Sequence, residues 1–552
     1  MRLFQILNLC TTSVRQRFKS GFSFRAKGKS QPDSRQWELT ASETAAYHRC
    51  LAQASSVPDL VDDRTWSDLE MERIFLRFNK CVTPLGAQYL YALLRNYQSK
   101  PAALEANVKA YETFKSNPEG KAALQKALAG LNRGESAQLA GFLLGSGPEI
   151  PTGHRLFYLV SILAIACPLG LGFSLWFLPA CIALWSLNIV LYYVYTTKLL
   201  THAPALISLA TLLGCVPEIL QAVQDKGLPE LRELQASAVA AKRIHKKISR
   251  AFLRRDNGDD FVRTIIEYLN LLCLFELTAL CRALRAVNHE RRGVLHIFQF
   301  VARLDAMQGI SSVLAEYPFV CAPEVKTGRR FSLTDVQHPL VSNPVCNTIE
   351  GDGNSLLLTG TNMAGKTTFI KTLAVNLLFA QTLGVCLARQ AVLPPARVRT
   401  LIAREDLITS GQSYFYFEAS ELLRMLKEAE KSGREYWFVL DEIFRGTNTL
   451  ERVSAGSAVL GHLTSRGVVI ASTHDHELAD HLRNEFELYH FSEVINGSEA
   501  RFDYLLRKGP CTTRNAIKLL VLAGFPKDVT DLAEKLATSP KTLSPARSRE
   551  TF

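Results

Sequence analysis

Charged residues are distributed unevenly along this chain, and the least polar stretch lies before its midpoint. No Asp, Glu, Lys or Arg occurs in the 42 residues between Arg155 and Lys198. Within this stretch, 156–174 and 177–195 are each 19 residues long, close to the roughly 20 residues that cross a bilayer core as a helix. The pattern predicts a two-helix transmembrane hairpin over 154–200. A buried hairpin in a soluble core is the alternative.

A hairpin returns the chain to the side of the membrane from which it started. Residues 1–150 and 200–552 must then share a compartment, and lipid would contact 156–195. Aromatic residues lie towards the ends of the two runs, as in an interfacial belt; they are Trp176, Trp185, Tyr192, Tyr193 and Tyr195. The basic residues Arg155 and Lys198 agree with the positive-inside tendency. We therefore expect a multi-pass membrane protein with two spans and both soluble parts in the cytoplasm.

On both sides of the hairpin, apolar residues recur with helical spacing. Residues 41–153 and 201–318 are therefore predicted to be all-α. In the first region, an amphipathic helix that begins near Trp66 is interrupted by Thr-Pro-Leu-Gly at 83–86. In the second region, 265–284 is predicted to be one apolar helix.

Beyond Phe319, short apolar runs alternate with helical patterns, which is typical of an α/β sheet domain. We place this domain at 319–508. The predicted strands are 355–359, 399–403, 436–440 and 467–472. Polar residues follow three of these strands directly, beginning at Gly360, Asp441 and Thr473.

The first strand leads into a glycine-rich loop of the form G-x-x-x-x-G-K-[ST]. The loop and the helix start after it comprise Gly360, Thr361, Asn362, Met363, Ala364, Gly365, Lys366, Thr367 and Thr368. In such loops, backbone N–H groups and a helix N-terminus face the phosphates. Lys366 can reach the β- and γ-phosphates, and the Thr367 hydroxyl can ligate Mg²⁺. The sequence predicts an ATP and Mg²⁺ site, with a chance glycine turn as the alternative.

Two carboxylates end the third strand, as expected beside a phosphate loop. Asp441 would hold Mg²⁺ opposite Thr367, and Glu442 would orient or deprotonate the attacking water. His474 follows the fourth strand, where a sensor of the γ-phosphate could lie. We therefore expect an ATP hydrolase in which Lys366, Glu442 and His474 are catalytic. The alternatives are a strand that ends in acids by chance and a structural histidine.

A small polar turn lies between the loop and Asp441. It consists of Ser410, Gly411, Gln412 and Ser413, which could present hydroxyl and N–H groups to a phosphate. A site built from two subunits would let this turn complete the nucleotide site of its neighbour.

The net charge of +12 suggests an anionic partner, but it is unevenly spread. Residues 1–35 hold eight Lys or Arg and the single acid Asp33, and so carry +7 of that charge. The basic segment 1–40 could contact lipid headgroups or be a solvated tail. A second basic run at 242–255 could meet phosphates of DNA or lipid, or be an ordinary solvated helix face. Twelve cysteines without a C-x-x-C pair fit a reducing compartment.

Several segments resemble motifs of one protein family. They are 359–368 (TGTNMAGKTT), 441–449 (DEIFRGTNT), 472–474 (STH), 410–418 (SGQSYFYFE) and 337–339 (QHP). Together these segments resemble the MutS family of DNA mismatch-repair ATPases. Residues 302–305 (ARLD) and 83–86 (TPLG) resemble parts of the helical core of that family, and 507–534 resembles its subunit-pairing segment.

The resemblance implies an α/β, ABC-like P-loop ATPase domain joined to an all-α, MutS-core-like helical domain, here with the transmembrane hairpin. It implies a homodimer in which Ser410 to Ser413 act across the subunits, paired through a helical segment at 509–540. Residues 541–552 are predicted to be a disordered tail. Phe444 stands where the family has a glycine, and Thr361 where it has a proline.

Other departures concern DNA. The stretch before Trp66 is too short for the family's mismatch-recognition domain and contains no Phe-x-Glu wedge. We therefore expect a membrane-anchored MutS-like ATPase whose ATP hydrolysis is coupled to DNA binding, in mismatch repair or recombination. A membrane ATPase, or a nucleotide-gated dimeric scaffold of ABC-like type without a DNA role, is the alternative.

Overall fold

The structure is a computed structural model that forms two compact units. The helical unit contains Met1–Val57, Lys80–Ala92 and Glu112–Ser311, and the sheet unit contains Pro58–Asn79, Leu93–Tyr111 and Ser312–Phe552. Within these spans, the structure describes residues 38–54, 59–98, 100–145, 150–223, 231–252, 268–360, 364–402, 414–445, 447–496, 499–510, 520–521 and 524–538. The predicted basic segment up to residue 37, the turn at 410–413 and the tail at 541–552 lie outside the described residues.

Most described residues of the helical unit are α-helical. In chain order, the α-helices of the two units whose full extent lies among the described residues are α1 (Ala41–Thr44), α2 (Ala46–Ala54), α3 (Asp63–Asp68), α4 (Met71–Phe78), α5 (Pro84–Arg95), α6 (Pro101–Ser116), α7 (Pro118–Leu128), α8 (Leu139–Leu144), α9 (His154–Ala166), α10 (Phe177–Leu191), α11 (Thr197–Leu200), α12 (Ala203–Val223), α13 (Leu231–Phe252), α14 (Phe275–His289), α15 (Arg291–Leu314), α16 (Lys366–Thr382), α17 (Tyr414–Ser432), α18 (Thr449–Thr464), α19 (His476–Leu482) and α20 (Lys527–Thr538).

The sheet unit is built on three sheets. Its strands are β1 (Glu324–Val325), β2 (Arg330–Val336), β3 (Asn347–Asp352), β4 (Ser355–Thr359), β5 (Gln390–Leu393), β6 (Arg397–Ile402), β7 (Tyr436–Asp441), β8 (Gly467–Ser472), β9 (Phe486–His490), β10 (Glu493–Asn496), β11 (Glu499–Phe502) and β12 (Arg507–Lys508). The main sheet has the order β12-β9-β4-β8-β7-β6, with only β12 antiparallel to its neighbour. A second sheet has the order β1-β5-β2-β3, and β10 pairs with β11.

The central strands of the main sheet are buried along their whole length. Every residue of β4, β7 and β8 is buried, as expected for parallel strands covered on both faces. Helix α16 follows β4 directly and is itself almost entirely buried. All four predicted strands are present, with bounds within two residues of those predicted. This arrangement brings the carboxyl ends of β4, β7 and β8 to one edge of the sheet.

The helical unit is held together near the predicted Thr-Pro-Leu-Gly interruption. Asp305 of α15 is fully buried, and its carboxylate accepts hydrogen bonds from the N–H groups of Val82 and Thr83 at 2.9 and 2.8 Å and from the Thr83 hydroxyl at 2.6 Å. The Thr83 hydroxyl in turn accepts from the N–H of Gly86 at 3.1 Å. A side chain at Gly86 would not fit, because its Cβ would lie 2.3 Å from an Asp305 oxygen. The interruption is thus the start of α5, with Pro84 as its first residue.

Three stretches are long and apolar enough to cross a membrane by length and composition. They are His154–Gly172, Phe177–Leu200 and Ala203–Val223, each with a mean hydropathy of 1.8. In the first two, only 22% and 11% of the apolar window is buried, against 44% in the third. The third lies in the region 201–318, which was predicted to be all-α. It packs against α13, where His245 Nδ1 lies 2.8 Å from the Ala210 carbonyl.

The single helix predicted at 265–284 is wrong in one respect. A helix at 268–273 ends before Leu274, which has a φ of 54°, and α14 begins at Phe275. The carbonyl oxygens next to this break accept hydrogen bonds from side chains of the apolar hairpin. Asn188 donates to the Leu272 carbonyl at 2.5 Å, and the Ser161 hydroxyl donates to that of Cys273.

Candidate active site

The candidate site lies where three buried parallel strands end. Strand β8 pairs with both β4 and β7, so Ser472 is opposite Leu358 on one side and Asp441 on the other. The residues that follow these strands therefore meet at one edge of the sheet. This is the usual place for a ligand in an open α/β sheet.

Lys366 is buried at the start of α16, with 1% of its surface exposed. Its ammonium group donates to the carbonyl oxygen of Gly360 at 2.5 Å and lies 3.5 Å from a carboxylate oxygen of Glu442. Burial lowers the pKa of Lys366, and the charges of Glu442 and Asp441 oppose this. Gly360 has a φ of 131°, and a Cβ there would lie 2.6 Å from the carbonyl oxygen of Phe491, so glycine is required.

Thr367 and Asp441 are in direct contact. The Thr367 hydroxyl donates to Asp441 Oδ2 at 2.8 Å, and the Ser472 hydroxyl donates to the other oxygen of that carboxylate. Asp441 is 5% exposed. A hydroxyl and a carboxylate held together in this way are the pair of oxygen ligands that Mg²⁺ takes in phosphate-loop proteins.

Glu442 is surrounded by three cationic or hydrogen-bonding side chains. Besides Lys366, its carboxylate contacts the guanidinium of Arg445 and lies 3.2 Å from His474 Nδ1. Burial raises the pKa of Glu442, but the hydrogen bond from His474 and the charges of Arg445 and Lys366 outweigh burial and lower the pKa to about 2. The carboxylate is therefore ionised at neutral pH.

The two ends of the predicted loop differ in what can be described. Thr361, Asn362 and Met363 lie outside the described residues, as do Ser410, Gly411, Gln412 and Ser413. Ala364 is buried, and Gly365 is the residue before α16. The Thr368 carbonyl accepts a hydrogen bond from the Thr372 hydroxyl inside α16. The structure brings together six of the residues predicted from the sequence, which are Gly360, Lys366, Thr367, Asp441, Glu442 and His474.

Sequence reasoning missed three side chains that shape the site. Arg445 contacts Glu442, while Arg452 forms an ion pair at 2.7 Å with Asp475, the residue after His474. Glu418 is 2% exposed and accepts a hydrogen bond from the N–H of Phe444 at 2.7 Å. Arg445 lies in the motif segment 441–449 and Glu418 in 410–418. Their positions in these motifs were the signal from which a role at the site could have been predicted.

Phe444 occupies an unusual backbone position. Its φ is 63°, a region that a bulky residue enters only at a cost, while its ring is buried and lies 5.2 Å from that of Phe415. A glycine would adopt this conformation without the cost, which accounts physically for the glycine in the similar motif. The hydrogen bond from Phe444 to Glu418 helps to hold the segment after Glu442 in place.

The residues present fit ATP and Mg²⁺. A buried lysine that contacts a backbone carbonyl and a carboxylate can exchange these partners for phosphate oxygens. Within the described residues there is no group of three or more His, Cys, Asp or Glu side chains that could hold a metal ion alone. The contact between Thr367 and Asp441 supplies two oxygen ligands that could hold Mg²⁺ together with the phosphates.

Comparison with known proteins agrees with this geometry. The family model of MutS domain V matches residues 356–540. The chain is 30% identical over 254 residues to DNA mismatch repair protein MutS 2 of Halobacterium salinarum, covering 44% of this chain and 29% of that protein. It is 31% identical over 277 residues to MutS of Nitratidesulfovibrio vulgaris, covering 47% of this chain and 30% of that protein. It is also 31% identical over 252 residues to MutS of Shouchella clausii, covering 43% of this chain and 28% of that protein.

The match is confined to one part of these relatives, since the chain spans less than a third of the length of each. The matched region contains the phosphate loop, the two carboxylates after β7 and His474. MutS domain V is an ATPase-type α/β domain, which is the architecture of the main sheet and its helices. Over residues 356–540 this chain matches MutS domain V, and in that region it is similar to proteins of the MutS family.

Proposed function

We propose that the chain is a membrane-anchored MutS-like ATPase in which ATP binding and hydrolysis are coupled to DNA binding. The observation that carries the enzymatic part is the contact of Lys366 and Thr367 with Glu442 and Asp441 at the strand ends. MutS-family proteins are ATPases, and the matched region contains all four residues.

In this proposal each side chain has a defined task. Lys366 binds the β- and γ-phosphate oxygens, and Thr367 and Asp441 hold Mg²⁺, which would neutralise charge on the phosphates. Glu442 is ionised, so it can accept a hydrogen bond from water and orient it for attack on the γ-phosphorus. His474 contacts Glu442 and can report whether the γ-phosphate is present. Arg445 competes for Glu442 until the nucleotide is in place.

Membrane anchoring rests on the two exposed apolar stretches, His154–Gly172 and Phe177–Leu200. Large apolar side chains along them face outward, among them Ile162 at 62% and Val190 at 58% exposed, as do Phe173 and Trp176 in the link between them. A monomeric soluble protein rarely exposes a continuous apolar surface of this kind. A bilayer would cover these side chains, and the remaining buried face packs on 268–289.

A contact within the helical unit supports the proposed number of crossings. Thr83 and Asp305 lie on opposite sides of the apolar region in sequence and yet are hydrogen bonded. The chain must therefore cross an even number of times. Two crossings by His154–Gly172 and Phe177–Leu200 satisfy this requirement. Ala203–Val223, which carries Glu218 and is the most buried of the three, remains part of the soluble helical unit.

Dimer formation and DNA binding are the parts of the proposal that rest on the family. MutS-family proteins function as dimers that bind DNA, and the relatives compared above are named DNA mismatch repair proteins. In this chain, Ser410 to Ser413 would complete the partner subunit's nucleotide site. The segment at 509–540, which includes α20, would help to pair the subunits.

The test is ATP turnover by the full-length chain in mild detergent at low salt. Branched, mismatched and matched DNA duplexes are added separately, and Lys366→Ala serves as the inactive control. Stimulation by any duplex supports coupling to DNA, and the ranking of the three identifies the preferred substrate. Turnover that is abolished by Lys366→Ala but unaffected by every duplex would instead support the alternative, a membrane ATPase or nucleotide-gated scaffold without a DNA role.

A further inference from the structure

A basic cavity lies in the helical unit, apart from the nucleotide site. It has a volume of about 460 Å³ and is lined by residues from three segments. Lys247 of α13 and Arg282, Arg285 and His289 of α14 contribute the basic side chains, and Ile150 also lines it. No acidic residue is among the lining residues.

The charges of this cavity are available to a ligand. Lys247, Arg282 and Arg285 are all solvent-exposed at the cavity. Over the part of the chain that the structure describes, none of the three forms an ion pair; Arg282 lies over the ring of Tyr158, 5.3 Å from its centroid. Three clustered cations at a concave surface favour a ligand that carries a phosphate group.

The position of the cavity relates it to the apolar hairpin. Ile150 lies four residues before α9, which is the first helix of the hairpin. One turn into α9, Tyr158 contacts both the Thr278 carbonyl, at 3.4 Å, and Arg282. The basic cavity is therefore at the base of the hairpin, where membrane and water would meet.

An apolar cavity of about 370 Å³ lies further along the same two helices. Its lining includes Ile165 and Pro168 at the far end of α9, together with Leu272 and Phe275. Helix α9 runs in the direction opposite to the segment 268–289, which includes α14, because Tyr158 contacts Thr278 while Ser161 contacts Cys273. Both helices thus lead from the basic cavity towards the apolar one.

The spacing of the two cavities suits one amphiphilic molecule. Phe275 and Arg282 line different cavities but lie seven residues apart on α14, which is about 10 Å along a helix axis. A phospholipid has a charged headgroup joined to long acyl chains, so it can occupy both. A free phosphate or a DNA backbone would use only the basic cavity.

We propose that Lys247, Arg282 and Arg285 form a binding site for the headgroup of an anionic phospholipid, whose acyl chain follows α9 towards the apolar cavity. Basic pockets beside membrane helices on the cytoplasmic side are a known form of lipid recognition. This inference rests on the proposed membrane insertion of the hairpin. It gives Lys247, one residue of the basic run at 242–255, a specific ligand instead of a general role on a solvated face.

The experiment uses the full-length chain and two measurements. Flotation with phosphatidylcholine vesicles first tests insertion of the hairpin. The detergent-solubilised chain is then titrated with short-chain phosphatidylglycerol, short-chain phosphatidylcholine, glycerol phosphate and a short DNA duplex. These titrations are repeated on Arg282→Gln/Arg285→Gln and on Arg243→Gln/Lys246→Gln, a control that removes the same charge from exposed positions of α13 outside the cavity.

We expect flotation of all three proteins and a preference for phosphatidylglycerol in the wild type. The cavity variant should bind phosphatidylglycerol roughly 30-fold more weakly, since each charge near a membrane surface contributes about a five-fold change in affinity, and the control should be unaffected. Three results would overturn the headgroup site. They are an equal loss of phosphatidylglycerol affinity in both variants, binding of glycerol phosphate as tight as that of phosphatidylglycerol, and a cavity variant that loses only DNA binding. A chain that does not float at all would instead refute the proposed membrane insertion.

Discussion

The hydroxyl of Thr367 lies 2.8 Å from a carboxylate oxygen of Asp441, although the two residues are separated by 74 positions in the chain. This hydrogen bond joins the phosphate loop to the end of β7. Lys366, the residue before Thr367, lies 3.5 Å from Glu442, the residue after Asp441. Lys366, Asp441 and Glu442 are buried and Thr367 is half-buried, so the site already holds its ligands for a cation and for phosphate close together.

Replacement of Lys366 should abolish nucleotide binding. In Lys366→Ala, the buried ammonium that would meet the phosphates is removed, and the Gly360 carbonyl and Glu442 lose their partner. Equilibrium binding of a fluorescent ATP analogue should fall below detection, while Lys371→Ala, on the same helix but paired with Glu70, should bind normally. Retained affinity in Lys366→Ala would refute the assignment of the loop.

Replacement of Glu442 should separate binding from turnover. Glu442→Gln keeps the shape of the side chain but removes the charge that would orient water. We expect ATP binding within a few-fold of wild type and hydrolysis slower by about 10²-fold or more. Single-turnover kinetics measure the chemical step directly. Near-normal turnover would remove Glu442 from the mechanism.

Buried Asp305 should be a main determinant of the stability of the helical unit. Asp305→Ala leaves the N–H groups of Val82 and Thr83 without their acceptor and should cost about 3 kcal/mol or more. The measurement is chemical unfolding, combined with hydrogen exchange at Val82 and Thr83, which should become faster. Glu112→Ala, at an exposed position of the same unit, is the control and should be nearly neutral.

His338 should make the sheet unit less stable in acid. Burial, followed by the charge of Lys371, lowers the pKa of His338 from its ordinary 6.5 to about 4. The unfolded chain therefore takes up a proton at a higher pH than the folded chain, and unfolding is favoured as the pH falls. Neutral His338 therefore contributes to the free energy of unfolding at high pH. This stabilisation is fully present above pH 6.5 and is lost progressively towards pH 4, on the order of 3 kcal/mol in total.

The check is the unfolding midpoint of wild type and His338→Gln across this pH range. The difference between the two proteins should change between pH 6.5 and pH 4 and stay constant above pH 7. A constant difference throughout would show that His338 does not titrate with folding.

Much of the nucleotide site could be predicted from the sequence, because its residues directly follow or end individual strands. An apolar strand that ends in Gly360, or in Asp441 and Glu442, brings its polar residues to the sheet edge once the strands are parallel. Contacts that depend on distant segments could not be predicted. Glu418 binds the Phe444 N–H across 26 residues, and the break at Leu274 is accommodated by Ser161 and Asn188, over 80 residues away.

The sequence alone is also insufficient to distinguish among the apolar helices. Ala203–Val223 has the same mean hydropathy, 1.8, as the two hairpin stretches. Composition therefore cannot separate a membrane span from a helix covered by protein. The difference lies in packing: Ala203–Val223 packs against α13 and is the most buried of the three, and the proposed two crossings agree with the Thr83–Asp305 contact.

The central claim is that one chain both enters a membrane and hydrolyses ATP through Glu442. The most direct measurement is ATP turnover across a density gradient after reconstitution of the full-length chain into vesicles. We predict that turnover floats with the lipid and that Glu442→Gln floats equally but is inactive. Activity that stays at the bottom of the gradient with lipid-free protein, or turnover by floating Glu442→Gln at the wild-type rate, would contradict the claim.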